Sequence, residues 1–359
     1  MSPQPYQSLP DKAFWRRTVA GPAPHDVDPV GIFELRIEPQ TKVATAGSCF
    51  AQHISRYLRK SGFNYFVAEQ GHPILSAKAR TANNYGLFSA RFGNVYTARQ
   101  LLQMFERAYG RFCPAEDVWH QAEDVVLDPF RPTTQPGGFI SEAEMRLDRA
   151  QHLAAVRYMF EKLDVFVFTL GLTECWRSRS DGAVFPICPG VEGGQFDADQ
   201  HEFYNQSTED VIADLTAFRD ALVAVNPEAQ IIFTVSPVPL VATAEPGANV
   251  LSATTYSKSV LRVSAEALRR RFENVHYFPS YEVITGAFNR GAYYAADLRN
   301  VLEDGVGHVM RLFMQHATSA EPATDAVDPH VDQTAPSDHF SAAERLVEVE
   351  CDEVAFDRH

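Results

Sequence analysis

A chain of 359 residues that is 45% hydrophobic and 22% charged has the composition of an ordinary globular protein with ample core, read as one enlarged α/β domain with an insertion and a tail rather than two equal halves. Its formal net charge of −14, with no Lys/Arg-rich block, excludes the electrostatic footprint of a nucleic-acid partner. Five widely spaced cysteines, Cys49, Cys113, Cys175, Cys188 and Cys351, fit neither a disulfide framework nor a zinc pattern and point to a reducing compartment.

Residues 1–40 are rich in Pro and polar side chains, with Phe14 and Trp15 as the obvious anchors, and read as an arm laid over the domain. The first residues carry no basic segment followed by an apolar one, and the longest apolar run, Val165 to Leu172, is far too short to span a bilayer. A cytoplasmic protein without an integral membrane segment is expected. Lys42 to Ala46 reads as a strand and Ala51 to Leu58 as a helix, joined at Gly47-Ser48. A strand at Phe63 to Ala68 would complete a parallel pair.

Helical spacing follows at about 97–109 and 142–163, on either side of a Pro- and Gly-bearing segment, about 113–138, that reads as an insertion loop. Val165 to Leu170 shows no polar alternation, as expected of a central parallel strand buried on both faces. Further helices are expected at about 208–225, 251–271 and 302–316, with strands at 230–235 and 275–279. In the last helix His308 falls off the apolar face of Val306, Val309, Met310 and Phe313 and is read as facing solvent. Residues 317–359 form an acidic tail, with a short docking element possible at Ser341 to Phe356. Alternating β and α elements imply an α/β fold, a three-layer sandwich around a parallel sheet of about five strands.

Ligands of an open parallel sheet bind beyond the carboxyl ends of its strands. After the first strand, Gly47 permits a tight turn and Ser48 meets the free N–H groups of a helix N-terminus, which suits a nucleophile. The plainer reading is that Ser48 caps the helix. Cys49 is a rival nucleophile or a small buried group. His72, after the second strand, is placed to act as general base, or is a surface histidine in the turn before Pro73. His53 is rotated by about 140° from Ser48 on the helix. Gly171 and Glu174 follow the central strand, where the carboxylate would orient a histidine, act as base, or pair with Arg177 or Arg179. Asn84 and Asn94 offer amide donors for an oxyanion, or serve their turns. Ser236-Pro237-Val238-Pro239 shapes the pocket wall. Neither ligand spacing for a metal nor a Gly-rich phosphate loop is present, so no cofactor is expected.

Gly47-Ser48-Cys49-Phe50-Ala51 resembles the signature pentapeptide of the GSCFA family, related to the SGNH/GDSL hydrolases, and the resemblance extends over about Thr41 to Phe313 through Phe88 to Thr97, Thr169 to Glu174 and Thr234 to Pro239. It implies a domain at 41–316 with flavodoxin-like strand order, Ser48 as the nucleophile, and Gly171 in the block that usually supplies an oxyanion-hole asparagine. Here Thr173 or Glu174 stands where that amide is expected. The Asp-x-x-His of SGNH enzymes is replaced by Asp297-Leu298-Arg299-Asn300, so Asp297 lacks the imidazole it would orient. The implied function is a serine esterase or O-acyltransferase acting on acyl, above all acetyl, esters of a glycan or glycoconjugate through an acyl-Ser48 intermediate. The alternative is a catalytically silent carbohydrate- or lipid-binding module that keeps the pocket, and a third is an assembly protein docking a partner through its acidic tail.

Overall fold

A computed structural model describes residues 4–48, 50–122 and 125–319. In chain order, β1 (Val43–Gly47) leads to α1 (Ala51–Lys60), α2 (Ala77–Ala82) and α3 (Ala98–Ala108), then to the hairpin β2 (Trp119–Ala122) and β3 (Val125–Leu127). Next come α4 (Glu142–Lys162), β4 (Val165–Leu170), β5 (Glu174–Ser178), β6 (Val184–Phe185) and β7 (His201–Asn205). The described chain closes with α5 (Thr208–Val225), β8 (Gln230–Val235), α6 (Val250–Arg271), β9 (Val275–Tyr277), α7 (Ser280–Thr285) and α8 (Glu303–Ala317).

The strands β1, β4, β8 and β9 form a parallel sheet in that order. All six residues of β4 are buried, and they divide by parity. Phe166, Phe168 and Leu170 pack with Ile231 and Phe233 against α3 to α6, whereas Val165 and Val167 join Val43 and Ile232 against α1, α7 and α8. Helices therefore cover both faces, which gives three layers. Each buried Phe of the central strand contributes roughly 1.5–3 kcal/mol through burial. Side-chain caps fix where the long helices start: Thr97 for α3, Ser141 for α4, and a capping box of Ser207 and Asp210 for α5.

The strand expected at Phe63 to Ala68 is reduced to one parallel bridge between Val43 and Tyr65. The reason lies at the outer edge of β1, where the Thr45 N–H donates to Ser89 Oγ at 3.0 Å and the Ala68 N–H turns away to Ser89 O. The sheet thus has four paired strands where about five were expected. A second sheet was not anticipated: β5 is central between β6 and β7, all antiparallel, and follows within four residues of the end of β4.

The segment at about 113–138 is no plain loop, since it holds the β2–β3 hairpin and is pinned to α4 by ion pairs. Asp128, 1% exposed, accepts from Arg131 Nε at 2.9 Å and from Arg149 Nε at 3.0 Å. The N-terminal arm is likewise anchored elsewhere than expected. Trp15 is 69% exposed, while Val27, Val30, Phe33 and Ile37 are buried. Its backbone reaches α8: His308 is buried, its Nε2–H donating to Val27 O at 2.9 Å and its Nδ1 accepting from Tyr293 Oη at 2.8 Å. The face of α8 that local periodicity assigns to solvent is covered by a distant stretch of the same chain. The tail beyond residue 319, with its expected docking element, lies outside the described residues.

Candidate functional site

Gly47 ends β1 with φ +140°, and a Cβ there would lie 2.5 Å from Thr169 O, so only glycine lets β1 and β4 close to this distance. Two hydrogen bonds lock the turn: the Ser48 N–H donates to Thr169 O at 3.3 Å and the Val95 N–H to Gly47 O at 2.9 Å. Ser48 is 3% exposed. Its backbone carbonyl accepts from the Ala51 N–H, but its side chain does not cap α1, which has no side-chain cap. The Ser48 hydroxyl is buried without a hydrogen-bond partner among the described residues. Thr169 Oγ1 and both amide atoms of Gln52, one turn into α1, share that condition. Buried polar atoms left unmatched cost about 1–3 kcal/mol each, and three such residues gather around this one turn. Cys49 lies outside the described residues.

None of the expected partners reaches that hydroxyl. His72 is exposed, and its Nδ1 accepts from the Ile74 N–H at 3.2 Å, which is the turn role and not that of a base. Asp297 and Asn300 are exposed and hold each other: Asn300 Nδ2 donates to Asp297 Oδ2 at 2.6 Å, and the Asn300 and Arg299 N–H groups donate to Asp297 Oδ1. Burial works upward on Asp297, yet these donors hold its carboxyl below the usual range. The asparagine occupies the carboxylate that would have oriented an imidazole. His53, beside Phe50, is lowered to about 4 by burial and by the Arg56 guanidinium, and so is neutral at pH 7.

The backbone N–H groups after β4 and the Asn84 amide, expected as oxyanion donors, are also committed. The N–H groups of Gly171 and Leu172 both donate to Tyr96 O, and the Thr173 N–H donates to Ser257 Oγ. Asn84, at φ +59°, donates its amide to the carbonyls of Thr133 and Thr134. Asn94 is buried, and its backbone carbonyl accepts from Gln100 Nε2. A residue that the sequence reading missed is Lys258, 1% exposed on α6, whose Nζ donates to Gly171 O at 2.7 Å. Its signal was present, a lysine on the apolar face shared by Val260, Leu261 and Ala265.

Glu174, at the first residue of β5, accepts from Thr243 Oγ1 at 2.7 Å and from the Ala244 N–H at 3.3 Å. Its pKa is raised, burial outweighing these donors. It pairs with neither Arg177 nor Arg179, which both bind Glu202. The carboxylate faces a cavity of about 300 Å³ walled by Leu172, Trp176, Phe185, Ile187 and Leu240. Burial pushes the thiols of Cys175 and Cys188 at its wall up to about 12 and about 11, so neither is a ready thiolate. Ser48 does not line the cavity; Tyr96 does, next to the Val95 that binds Gly47 O. Among the described residues no group of three or more His, Cys, Asp or Glu is arranged to hold a metal ion.

Residues 42–313 match the GSCFA family. The chain belongs to that family. Within this GSCFA protein the matched span runs from the residue before β1 into α8, and thus takes in the Gly47 turn, the cavity and the Asp297 loop. No curated protein matches the chain. No helix among the described residues is long and apolar enough to cross a membrane.

Proposed function

We propose that this GSCFA protein binds a small molecule with an apolar or acyl-bearing body in the cavity walled by Trp176 and Leu240, with the Glu174 carboxyl receiving a hydroxyl or amine of the ligand. One observation carries this reading: a lined cavity stands at the carboxyl end of the sheet while no group able to take a proton hydrogen-bonds Ser48 among the described residues. Carbohydrate esters and short-chain lipids are the ligand classes that suit an apolar wall with one carboxyl. The free thiols of Cys113, Cys175 and Cys188 suit a cytoplasmic setting.

A second reading is favoured by the Ser48 hydroxyl itself, buried without a partner on a strand-to-helix turn. It is the esterase or O-acyltransferase of the SGNH type, with an acyl-Ser48 intermediate passed from a glycan acyl ester to water or to another hydroxyl. Its base would have to be supplied on substrate binding. One experiment separates the two. Trp176 fluorescence is titrated with acetylated sugars and short fatty acids, with Trp176→Phe as blank, and the same preparation is assayed for p-nitrophenyl acetate turnover and fluorophosphonate labelling beside Ser48→Ala and Cys49→Ala. Saturable fluorescence without Ser48-dependent turnover supports binding. Turnover or labelling lost in Ser48→Ala overturns the silent-module reading.

A further inference from the structure

Beneath α3, a second and much smaller cavity of about 20 Å³ is enclosed by Phe92, Val95, Met104, Phe130 and a set of polar side chains. That volume holds one water or one monatomic ion. Its polar wall consists of Gln100, Gln103, Arg107, Arg131 and His152. Each of the two amides already binds elsewhere through its oxygen and one N–H. Gln100 accepts from the Tyr96 N–H and donates to Asn94 O, and Gln103 accepts from the Val184 N–H and donates to Gly182 O. His152 donates Nδ1–H to Glu69 at 2.8 Å.

The two guanidinium groups are not used up. Arg131 has a side chain 2% exposed and binds Asp128 and Asp148 through Nε and Nη2, yet its Nη1 is buried with no partner among the described residues. Arg107 stacks on the Phe130 ring at 3.9 Å and makes no ion pair among the described residues, and burial pulls its pKa down to about 10. Around this space the cations Arg91, Arg107, Arg131 and Arg149 meet the carboxylates Glu69, Asp128 and Asp148, while the partly exposed Asp117 is shared by Arg149 and Arg146. The wall offers an orphaned donor and a cation that makes no direct ion pair among the described residues, Asp128 and Asp117 acting on it only from a distance, in a space too small for a carboxylate or phosphate.

We propose that this cavity is a built site for a single halide ion, chloride under ordinary conditions, held by Arg131 Nη1 and the Arg107 guanidinium. An anion there satisfies the orphaned donor and neutralises Arg107, whereas a water satisfies donors alone. The site is independent of the ligand proposed for the Trp176 cavity, although Gln100 walls both.

The test uses the full chain. Crystals grown in sodium bromide are expected to show an anomalous bromine peak within hydrogen-bonding distance of Arg131 Nη1 and Arg107. In solution, chloride at about ten times its dissociation constant should raise the melting temperature by roughly 2 °C over gluconate at equal ionic strength. Arg107→Met should remove that difference. A water-only density in the bromide crystals, or equal melting of the wild type in the two salts, would overturn the proposal, and neither measurement depends on the variant folding.

Discussion

Two strand ends of the same sheet carry a glycine and then a polar loop, and they are finished in opposite ways. After β4, which itself contains Thr169, the loop's N–H groups and polar side chains have partners: the Gly171 and Leu172 N–H groups bind Tyr96 O, Thr173 binds Ser257 and Asn205, and Glu174 binds Thr243 and Ala244. At β1, the Gly47 backbone is equally well fixed, but the Ser48 hydroxyl, Thr169 Oγ1 and the Gln52 amide are buried with no partner among the described residues. A satisfied loop builds a wall. An unsatisfied one, held rigid by its backbone, keeps polar atoms free for a further contact.

Breaking the β1 end should be the most damaging change. Gly47→Ala places a methyl 2.5 Å from Thr169 O at φ +140°, and should cost more than about 3 kcal/mol in urea unfolding; Gly171→Ala, whose Cβ meets Tyr96 O at 3.1 Å, should cost clearly less. The ion network behind the loop at 91–96 should appear as acid sensitivity. Glu69 is lowered from 4.5 to about 2, with His152 and the Arg91 N–H outweighing burial. A depressed carboxylate stabilises the fold fully above its unfolded value, so its contribution of about 2–3 kcal/mol should be complete above pH ~4.5 and disappear as pH falls towards 2. Glu69→Gln should flatten that part of a stability–pH curve.

The comparison sharpens at two hydroxyls. Thr173→Val removes a buried donor to Asn205 Oδ1 at 2.7 Å and should cost about 1–2 kcal/mol. Ser48→Ala removes a buried hydroxyl that binds nothing among the described residues and should stabilise the fold by about 1–2 kcal/mol. A large loss at Ser48 would show that its hydroxyl has a structural partner, and the reading of this turn as an unfilled site would fall.

Much of the sheet was legible because β4 announces itself: six apolar residues bounded by Asp164 and Gly171 admit little else. The layer of β5 to β7 was not legible. Glu174-Cys175-Trp176-Arg177-Ser178 and His201-Glu202-Phe203-Tyr204-Asn205 carry charges within their strands, neutralised by cross-strand pairs such as Arg177–Glu202 that local periodicity cannot register. At the site, the place of Ser48 was readable from strand, glycine and helix, and so was the presence of asparagine rather than histidine at Asn300. The fate of the partners was not, because His72 is consumed by a local turn bond and Asn84 by carbonyls about 50 residues further on, both set by backbone path rather than residue type. His308 failed for the same kind of reason, since the arm that buries it is some 280 residues away in sequence.

That arm gives the molecule a clasp. The Ile37 N–H donates to Ala317 O and Ile37 O accepts from the Ser319 N–H, so a single residue ahead of the sheet is sewn between two residues at the end of the last helix. A fragment trimmed to the family-matching span would lose both halves of this seam together with Val30, Phe33 and Ile37 from the core, and would expose the greasy side of α8. The shortest piece of this chain able to stand alone is therefore longer at both ends than the segment by which its kinship is recognised.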